Sequence, residues 1–359
     1  MIDMRRSSDR GLFVAYSKAP RRDRIMQFVI FSALATIVVF VLFVQMRDGK
    51  NGLVTERVEF SGAPNRTQIW PDPEILANNA IANRLIVAAV NCGYLDFVDN
   101  WLASLEALGI TNYILIALDQ NAYDVLMQTY PEHTILSFAA SAENKPAEAV
   151  VEDPDPKARN YGSQEFGNVV RSRPLLLLPF LKQGYTIFYS DIDTYWMKNP
   201  FDEIRQGDYD LQGATDSHPE SPDDDIGDHN ICTGMLYLEA TYPTIRLLEN
   251  WHKILVEINA DVNQASFSDA LHKWNNEADK NHNVRIKYKI AERDAYPPGY
   301  MYFKNDARWK NKDTYVPKRS PVIVHANWVV GKKAKRKMLK DSNLWKPKGI
   351  LKPCKVENK

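Results

Sequence analysis

The chain has 359 residues, of which 45% are hydrophobic, with 45 basic and 45 acidic side chains and three cysteines. This length and composition exclude a disordered chain, a collagen-like repeat and a small disulfide-stapled scaffold. Residues 45–330 carry 27 basic and 40 acidic groups, whereas residues 331–359 carry eleven basic and two acidic groups. Such an acidic central body is not typical of a nucleic-acid-binding protein, so nucleic acid is not an expected partner.

An uncharged apolar run, Ile25–Val44, follows an N-terminal segment that holds seven basic and three acidic groups. As a helix, at ~1.5 Å per residue, it would be about 30 Å long and would span a bilayer. The basic flank predicts a cytosolic tail at 1–24, and no small-residue cleavage site follows the apolar run. We therefore expect an uncleaved signal-anchor, the alternative being a buried core helix, with the rest of the chain lumenal.

The segment 45–82 mixes Gly, Pro, Asn and charge without periodicity, so it is predicted to be a lumenal stem. It contains Asn65-Arg66-Thr67, an acceptor tripeptide for N-glycosylation. The folded domain is predicted at 83–345, followed by a basic C-terminal tail at 346–359. The cysteines are Cys92, Cys232 and Cys354. Their odd number leaves at least one without a partner in the chain, and the sequence leaves their pairing open.

Strand-like and helix-like segments alternate from residue 85 onward, which predicts an α/β sheet flanked by helices. Leu85–Val90 is continuously apolar, as in a strand buried on both faces, and an amphipathic helix at 97–108 and a strand at Tyr113–Leu118 complete a βαβ unit. A short helix at 123–129, a long polar loop at 139–165 and a helix at 166–182 follow. Further strands are predicted at 186–190, 211–214, 232–238 and 321–325, and further helices at 244–258 and 265–276.

Two carboxylates, Asp191 and Asp193, directly follow the apolar strand Thr186–Ser190. Residues two apart in an extended chain point to the same side, and open α/β sheets bind ligands at the carboxyl ends of their strands. Such closely spaced anions favour a cation between them, and carboxylate oxygens suit Mg²⁺ or Mn²⁺ that bridges to substrate phosphates. An isolated Asp-x-Asp is a weak signal, since surface pairs of this kind are common at loop starts.

The segment Gly184–Pro200, GYTIFYSDIDTYWMKNP, resembles the signature of the nucleotide-diphospho-sugar transferase family that includes plant cell-wall arabinosyl-, xylosyl- and galactosyltransferases. The resemblance extends over roughly residues 84–345. The other matching segments are Ala89–Tyr94, Arg171–Pro174, Thr233–Met235, Asn263-Gln264, and His325–Trp328 with Gly331 and Lys332.

Membership of this family implies a GT-A (Rossmann-like) mixed sheet, a nucleotide-sugar donor with UDP as the expected nucleotide, a divalent metal and transfer with retention of configuration. By resemblance, Asp191, Asp193 and His325 would be the metal ligands. Gln264 would lie near the anomeric carbon and stabilise developing oxocarbenium charge. Asn263 replaces the acidic residue usual in the family, which argues against a covalent nucleophile at this pair and fits a front-face mechanism.

The donor would be bound by residues from several segments. Asn91 and Tyr94 are candidates for binding the nucleotide. The amide of Asn91 could hydrogen-bond the edge of the base, and the ring of Tyr94 could stack on it. A guanidinium matches phosphate or sugar oxygens in two-point geometry, and we favour Arg173 over Arg171 for that role. Asp216 is a candidate for a donor-sugar hydroxyl, with an ordinary loop acid as the equal alternative.

At the start of a predicted helix, Gly331 and Lys332 are assigned to the donor as well, because a cation there would neutralise the leaving diphosphate. The more distant lysines are expected to form a solvated face. The sequence thus predicts a Golgi type II membrane enzyme that transfers sugar to a glycan or glycoprotein acceptor. The alternatives are a sugar-nucleotide hydrolase or phosphotransferase on the same fold, and a catalytically inactive, lectin-like lumenal protein.

Overall fold

A seven-stranded mixed sheet forms the centre of the protein in a computed structural model that describes residues 70–137, 164–216, 231–257, 263–281, 284–303 and 319–354. The strands are β1 (Arg84–Val90), β2 (Tyr113–Ala117), β3 (Thr134–Leu136), β4 (Thr186–Ser190), β5 (Thr194–Trp196), β6 (Leu211–Thr215), β7 (Ile231–Leu238), β8 (Tyr288–Ile290) and β9 (Ile323–His325). Their order in the sheet is β3-β2-β1-β4-β7-β6-β8, and β5 pairs with β9 in a separate two-stranded sheet.

Strands β3, β2, β1 and β4 are parallel, whereas β7 runs antiparallel to both of its neighbours, β4 and β6. The carboxyl ends of β4 and β6 and the amino end of β7 therefore meet at one edge of the sheet. This edge also receives the loops that follow β1 and β2. The mixed sheet confirms the predicted α/β architecture, and its carboxyl edge is where a ligand site is expected.

Helices cover both faces of the sheet. They are α1 (Pro73–Asn79), α2 (Leu95–Ala107), α3 (Gln120–Thr129), α4 (Gln164–Lys182), α5 (Tyr242–Glu257), α6 (Asn263–Asn281), α7 (Gly299–Tyr302) and α8 (Lys332–Asp341). Alternate side chains of β1 enter two separate cores, because Ile86 packs in the core that contains Trp101 of α2 while Val87 packs with Phe180 of α4 and Trp251 of α5. Burial on both faces explains why β1 is continuously apolar.

Part of the predicted stem is folded. Helix α1 begins after Asp72, whose side chain accepts a hydrogen bond from the backbone N–H of Glu74. Leu76 is completely buried, and the indole N–H of Trp70 donates to the carbonyl of Leu136 at 2.8 Å. Residues from 70 onward thus pack against the sheet, so the folded part of the chain extends N-terminal to the predicted boundary at 83.

The beginning of the predicted C-terminal tail is also folded. Cys354 forms a disulfide with Cys92, which lies just after β1. The backbone N–H of Lys346 donates to Asn100 Oδ1 at 2.5 Å, and Leu351 is buried. Residues 346–354 therefore pack against helix α2.

Several predictions concern residues that the structure does not describe. They are the membrane span at 25–44, the glycosylation tripeptide at Asn65 and all but the last residues of the loop at 139–165, where α4 begins at Gln164. Within the described ranges, the helices are too short or too polar to cross a bilayer.

Candidate active site

Three side chains with metal-ligand chemistry converge at the carboxyl edge of the sheet. Asp191 and Asp193 follow β4, and His325 ends β9, where it lies opposite Thr194 in the β5–β9 pair. His325 Nε2 is 3.2 Å from Asp193 Oδ1 and 3.8 Å from Asp191 Oδ2. One ligand atom from each side chain lies within 4.8 Å of the other two. The structure thus brings together the three residues that the sequence assigned to a metal.

A glycine leaves room for this cluster. A Cβ added to Gly234 of β7 would lie 2.4 Å from Asp191 Oδ2 and 2.8 Å from His325 Cε1. The backbone also fixes the strand end, because the N–H of Asp191 donates to the Gly234 carbonyl at 2.7 Å. A space bordered by two carboxylates and an imidazole fits a divalent cation such as Mn²⁺ or Mg²⁺.

The charge of Asp193 is balanced by cations of the chain itself. Burial disfavours the ionised carboxyl, but Lys335 Nζ at 2.6 Å from Oδ2, together with His325, holds the pKa of Asp193 well below its usual value. For His325, burial lowers the pKa, but the adjacent Asp193 carboxylate outweighs it and the pKa lies well above the usual value. Asp193 is thus paired with the Lys335 ammonium through Oδ2 and lies within hydrogen-bond distance of His325 Nε2 through Oδ1.

Asp191 is oriented by Arg173 and Tyr189. Arg173 donates to Asp191 Oδ1 at 2.9 Å and to Thr233 Oγ1 at 3.0 Å, and the Tyr189 hydroxyl donates to the same Oδ1 at 3.0 Å. The guanidinium also lies over the Tyr189 ring, 4.9 Å from its centroid. These contacts engage Oδ1 and leave Oδ2 facing His325. Arg173 thus contacts a metal-ligand candidate, Asp191, through the oxygen that faces away from His325. The side chain of Arg171 is outside those described.

A second polar cluster surrounds Asp216, which follows β6 at the same edge. Its carboxylate accepts hydrogen bonds from Asn327 Nδ2 at 2.9 Å, from Trp328 Nε1 and from Gln264 Nε2 at 3.1 Å. Asn327 and Trp328 follow His325 closely in sequence, so the two clusters are adjacent. Asn263, the first residue of α6, is next to Gln264 in sequence, and its side chain is outside those described.

The predicted nucleotide loop forms a 3₁₀ turn at Cys92–Tyr94, directly after β1. Its position is fixed by the N–H of Cys92, which donates to Asp119 Oδ2 at 2.8 Å. Among the described residues, no donor reaches the buried Oδ1 of Asn91. Burial raises the pKa of Tyr94 to about 12, so its hydroxyl is a neutral hydrogen-bond group. The amide oxygen of Asn91 thus keeps an acceptor position that no described donor uses.

Two lysines of α8 contact acidic residues at this edge of the sheet. Gly331 adopts φ +93° and leads into α8, where Lys332 Nζ pairs with Asp96 Oδ1 at 2.7 Å. Lys335, one turn later, is the lysine that contacts Asp193. Lys335 is therefore not part of the solvated face expected for the more distant lysines, and the role of Lys332 at the donor diphosphate stays a prediction.

An α/β sheet with paired aspartates, a histidine and a lysine at its carboxyl edge is typical of enzymes that bind nucleotide diphosphates. A family model described as nucleotide-diphospho-sugar transferase matches residues 108–339, which is more than half of the chain. The chain therefore belongs to the nucleotide-diphospho-sugar transferase family and is a glycosyltransferase.

The chain has curated relatives with different sugar specificities. It is 30% identical over 281 residues to UDP-D-xylose:L-fucose alpha-1,3-D-xylosyltransferase 3 of Arabidopsis thaliana, covering 73% of this chain and 66% of that protein. It is 23% identical over 300 residues to the UDP-galactose:fucoside alpha-3-galactosyltransferase of Dictyostelium discoideum, covering 73% of this chain and 43% of that protein. This chain thus spans about two thirds of the first relative and less than half of the second.

Solved structures give weaker matches. The glycosyltransferase GlyE of Streptococcus pneumoniae TIGR4 aligns with a TM-score of 0.41 and 14% identity, over 76% of this chain and 66% of that chain. The galactosyltransferase LgtC in complex with donor and acceptor sugar analogues aligns with a TM-score of 0.40 and 14% identity, over 76% of this chain and 97% of that chain. The family assignment therefore rests on the sequence matches.

Proposed function

We propose that this protein transfers a sugar from a UDP-sugar to a hydroxyl of a fucose-containing glycan or glycoprotein, with a divalent cation and with retention of configuration, on a GT-A-type domain. The observation that carries the proposal is the convergence of Asp191, Asp193 and His325 beside Lys335 at the carboxyl edge of the sheet. This combination suits a diphosphate, because it joins cation ligands to a protein cation within one cluster.

Asp191, Asp193 and His325 would hold Mn²⁺ or Mg²⁺. When bound, the ion would supply positive charge that stabilises the departing nucleoside diphosphate. Arg173 and Tyr189 keep the Asp191 carboxylate in place through Oδ1, and outer contacts of this kind tune ligand geometry. Gly234 keeps the space between the ligands open.

Lys335 is proposed to stabilise the leaving diphosphate. Its ammonium pairs with Asp193 and so lies beside the proposed metal ligands, and the start of α8, like other helix N-termini, also favours a phosphate. Gly331 and Lys332 lie at the same helix start and would contribute less directly, because Lys332 pairs with Asp96 and not with a metal-ligand candidate. A diphosphate whose developing negative charge is stabilised by these groups is a better leaving group.

Asn91 and Tyr94 are proposed to bind the nucleotide base. The loop that carries them follows β1, the parallel neighbour of β4, and Lys332 Nζ of α8 lies 5.9 Å from the centroid of the Tyr94 ring. The unpartnered Asn91 oxygen would accept a base N–H. The nucleotide would then extend from this loop toward the metal ligands.

The names of the relatives indicate a class of acceptor for the proposed reaction. The relatives from Arabidopsis thaliana and Dictyostelium discoideum named above act on L-fucose or a fucoside and form alpha-3 linkages, although one uses UDP-xylose and the other UDP-galactose. Because the two relatives agree on the acceptor and differ in the donor, we propose a fucose acceptor and leave the donor sugar open. UDP-xylose and UDP-galactose carry their sugars in α-linkage, so an α product corresponds to retention.

The proposed setting is the Golgi lumen, with the apolar run 25–44 as a type II anchor and UDP-sugars and glycans as partners. The Cys92–Cys354 disulfide supports an oxidising compartment for the domain.

The proposal is tested with the purified full-length chain, Mn²⁺, methyl α-L-fucoside and a panel of UDP-xylose, UDP-galactose and UDP-arabinose. We expect one donor to yield a disaccharide together with UDP, and chelation to stop the reaction. Asp193→Asn would abolish the product, whereas Asp124→Asn, which alters an exposed helix carboxylate, would not. UDP release without a disaccharide would indicate a hydrolase, and donor binding without turnover an inactive binding protein; either result overturns the proposal.

A further inference from the structure

Asp216 is the centre of a hydrogen-bond network that joins three distant parts of the chain. Its Oδ1 accepts from Asn327 Nδ2 at 2.9 Å and from Trp328 Nε1, and its Oδ2 accepts from Gln264 Nε2 at 3.1 Å. These donors come from the segment after β9 and from the first turn of α6. Both carboxylate oxygens are thus engaged by protein N–H groups.

This arrangement does not favour the role in which Asp216 binds a hydroxyl of the donor sugar. Three N–H donors of the fold already occupy most of the roughly four acceptor positions of the carboxylate, and hydrogen bonds to a carboxylate are among the stronger ones in proteins. The contacts are those of a group that holds other side chains in place.

The contact with Gln264 fixes the direction of its amide. An ionised carboxylate only accepts hydrogen bonds, so it must face the amide nitrogen and not the oxygen of Gln264. The amide oxygen is then the end left for a ligand. The proposed reaction requires the amide oxygen of Gln264 to face the sugar, because a carbonyl oxygen stabilises the positive charge that develops on the sugar ring.

The same carboxylate anchors the segment that follows a metal-ligand candidate. Asn327 and Trp328 are two and three residues after His325, and Trp328 adopts φ +64°, a conformation uncommon for a bulky residue. Asn327 Oδ1 accepts from the N–H of Gly299 at 2.6 Å, and the Trp328 ring lies edge-on to Tyr300, with centroids 4.9 Å apart. Asp216 therefore links the amide of Gln264 to the segment beside the metal cluster.

From these contacts we infer that Asp216 is a positioning residue that holds the Gln264 amide with its oxygen toward the reacting sugar. The inference rests on the proposed function for the role of Gln264. It differs from a direct substrate contact in a measurable way, because a residue that acts only through Gln264 has nothing left to do once Gln264 is removed.

A double-mutant cycle on the full-length chain tests this inference with Asp216→Asn, Gln264→Ala and the double variant. The amide that Asp216→Asn introduces would offer N–H donors and turn the Gln264 amide around. We expect each single change to lower kcat about 100-fold, the scale of losing one oriented polar group at a transition state. The double variant would be no slower than Gln264→Ala, and KM for the donor and the UDP–Mn²⁺ dissociation constant would change less than about threefold, because neither side chain is proposed to hold the nucleotide or the metal.

Losses that multiply to about 10,000-fold in the double variant would overturn the inference, since Asp216 would then act independently of Gln264. Wild-type kcat in Asp216→Asn would also overturn it, as would a loss of UDP binding. The same cycle measured by urea unfolding does not depend on turnover: the stability losses should be less than additive, and additive losses would refute the contact. If the wild type transferred no sugar, the proposed function would fail, and the unfolding cycle would still decide the Asp216–Gln264 pairing.

Discussion

Gly234→Ala is the smallest change that tests whether the space between the cluster side chains is functional. The added Cβ would lie 2.4 Å from Asp191 Oδ2 and 2.8 Å from His325 Cε1. Ordinary contact begins near 3.4 Å, so the carboxylate oxygen must move by about 1 Å. It has little freedom to do so, because the other oxygen of Asp191 is held by Arg173 and Tyr189.

A displacement of about 1 Å in a catalytic arrangement costs on the order of 100-fold in rate. We therefore expect Gly234→Ala to lower kcat about 100-fold and to weaken Mn²⁺ binding, measured by calorimetry in the presence of UDP. Gly207→Ala is the matched control. Gly207 has φ +89°, and within the described ranges no atom lies within 4 Å of its added Cβ, so alanine there strains the backbone away from the cluster. If Gly234→Ala bound Mn²⁺ as tightly as the wild type, the proposed metal ligands would be wrong.

Three further predictions concern other parts of the structure. Lys335→Met should lower kcat about 100-fold and Lys332→Met only severalfold, because the first removes the ammonium beside the metal ligands, and steady-state kinetics measure both. Replacing Cys92 and Cys354 together by serine should lower the free energy of unfolding by up to about 5 kcal/mol in urea titrations, since the disulfide joins residues separated by 262 positions. Leu76→Ala should cost about 2–5 kcal/mol in the same assay, because the side chain is completely buried.

Equal losses of kcat in Lys335→Met and Lys332→Met would mean that both ammonium groups act through the overall positive charge of the helix start, and that Lys335 has no special role. Unchanged stability without the disulfide would show that the C-terminal segment is held by its other contacts. Ile81→Ala, at an exposed site near α1, should cost little; if Leu76→Ala cost no more, helix α1 would not belong to the folded domain.

The residues of the cluster were predictable from sequence where local pattern determines position. The apolar strand β4 is buried along its whole length, and Asp191 and Asp193 follow it directly, so their place at the sheet edge follows from strand geometry. His325 was found only through the family resemblance, because its approach depends on pairing between β5 and β9, far apart in the chain.

The remaining features depend on tertiary contacts that no local pattern encodes. Helical spacing places Lys332 and Lys335 on one face of α8, and only the docking of that helix decides which of them meets Asp193. The partner of Cys92 is 262 residues away, and three cysteines allow several pairings. Similarly, Arg173 was assigned to the donor because a guanidinium matches phosphate oxygens, whereas its contact with Asp191 joins a helix to a strand end and cannot be seen in sequence spacing.

We propose that Asp191, Asp193 and His325 hold the divalent cation that the nucleotide-sugar reaction needs. The most direct measurement is anomalous diffraction from crystals of the protein soaked with Mn²⁺ and UDP. We predict a manganese peak between these three side chains, with the UDP diphosphate beside it. A diphosphate bound at the sheet edge with no manganese at the three side chains, or with manganese elsewhere, would contradict the claim.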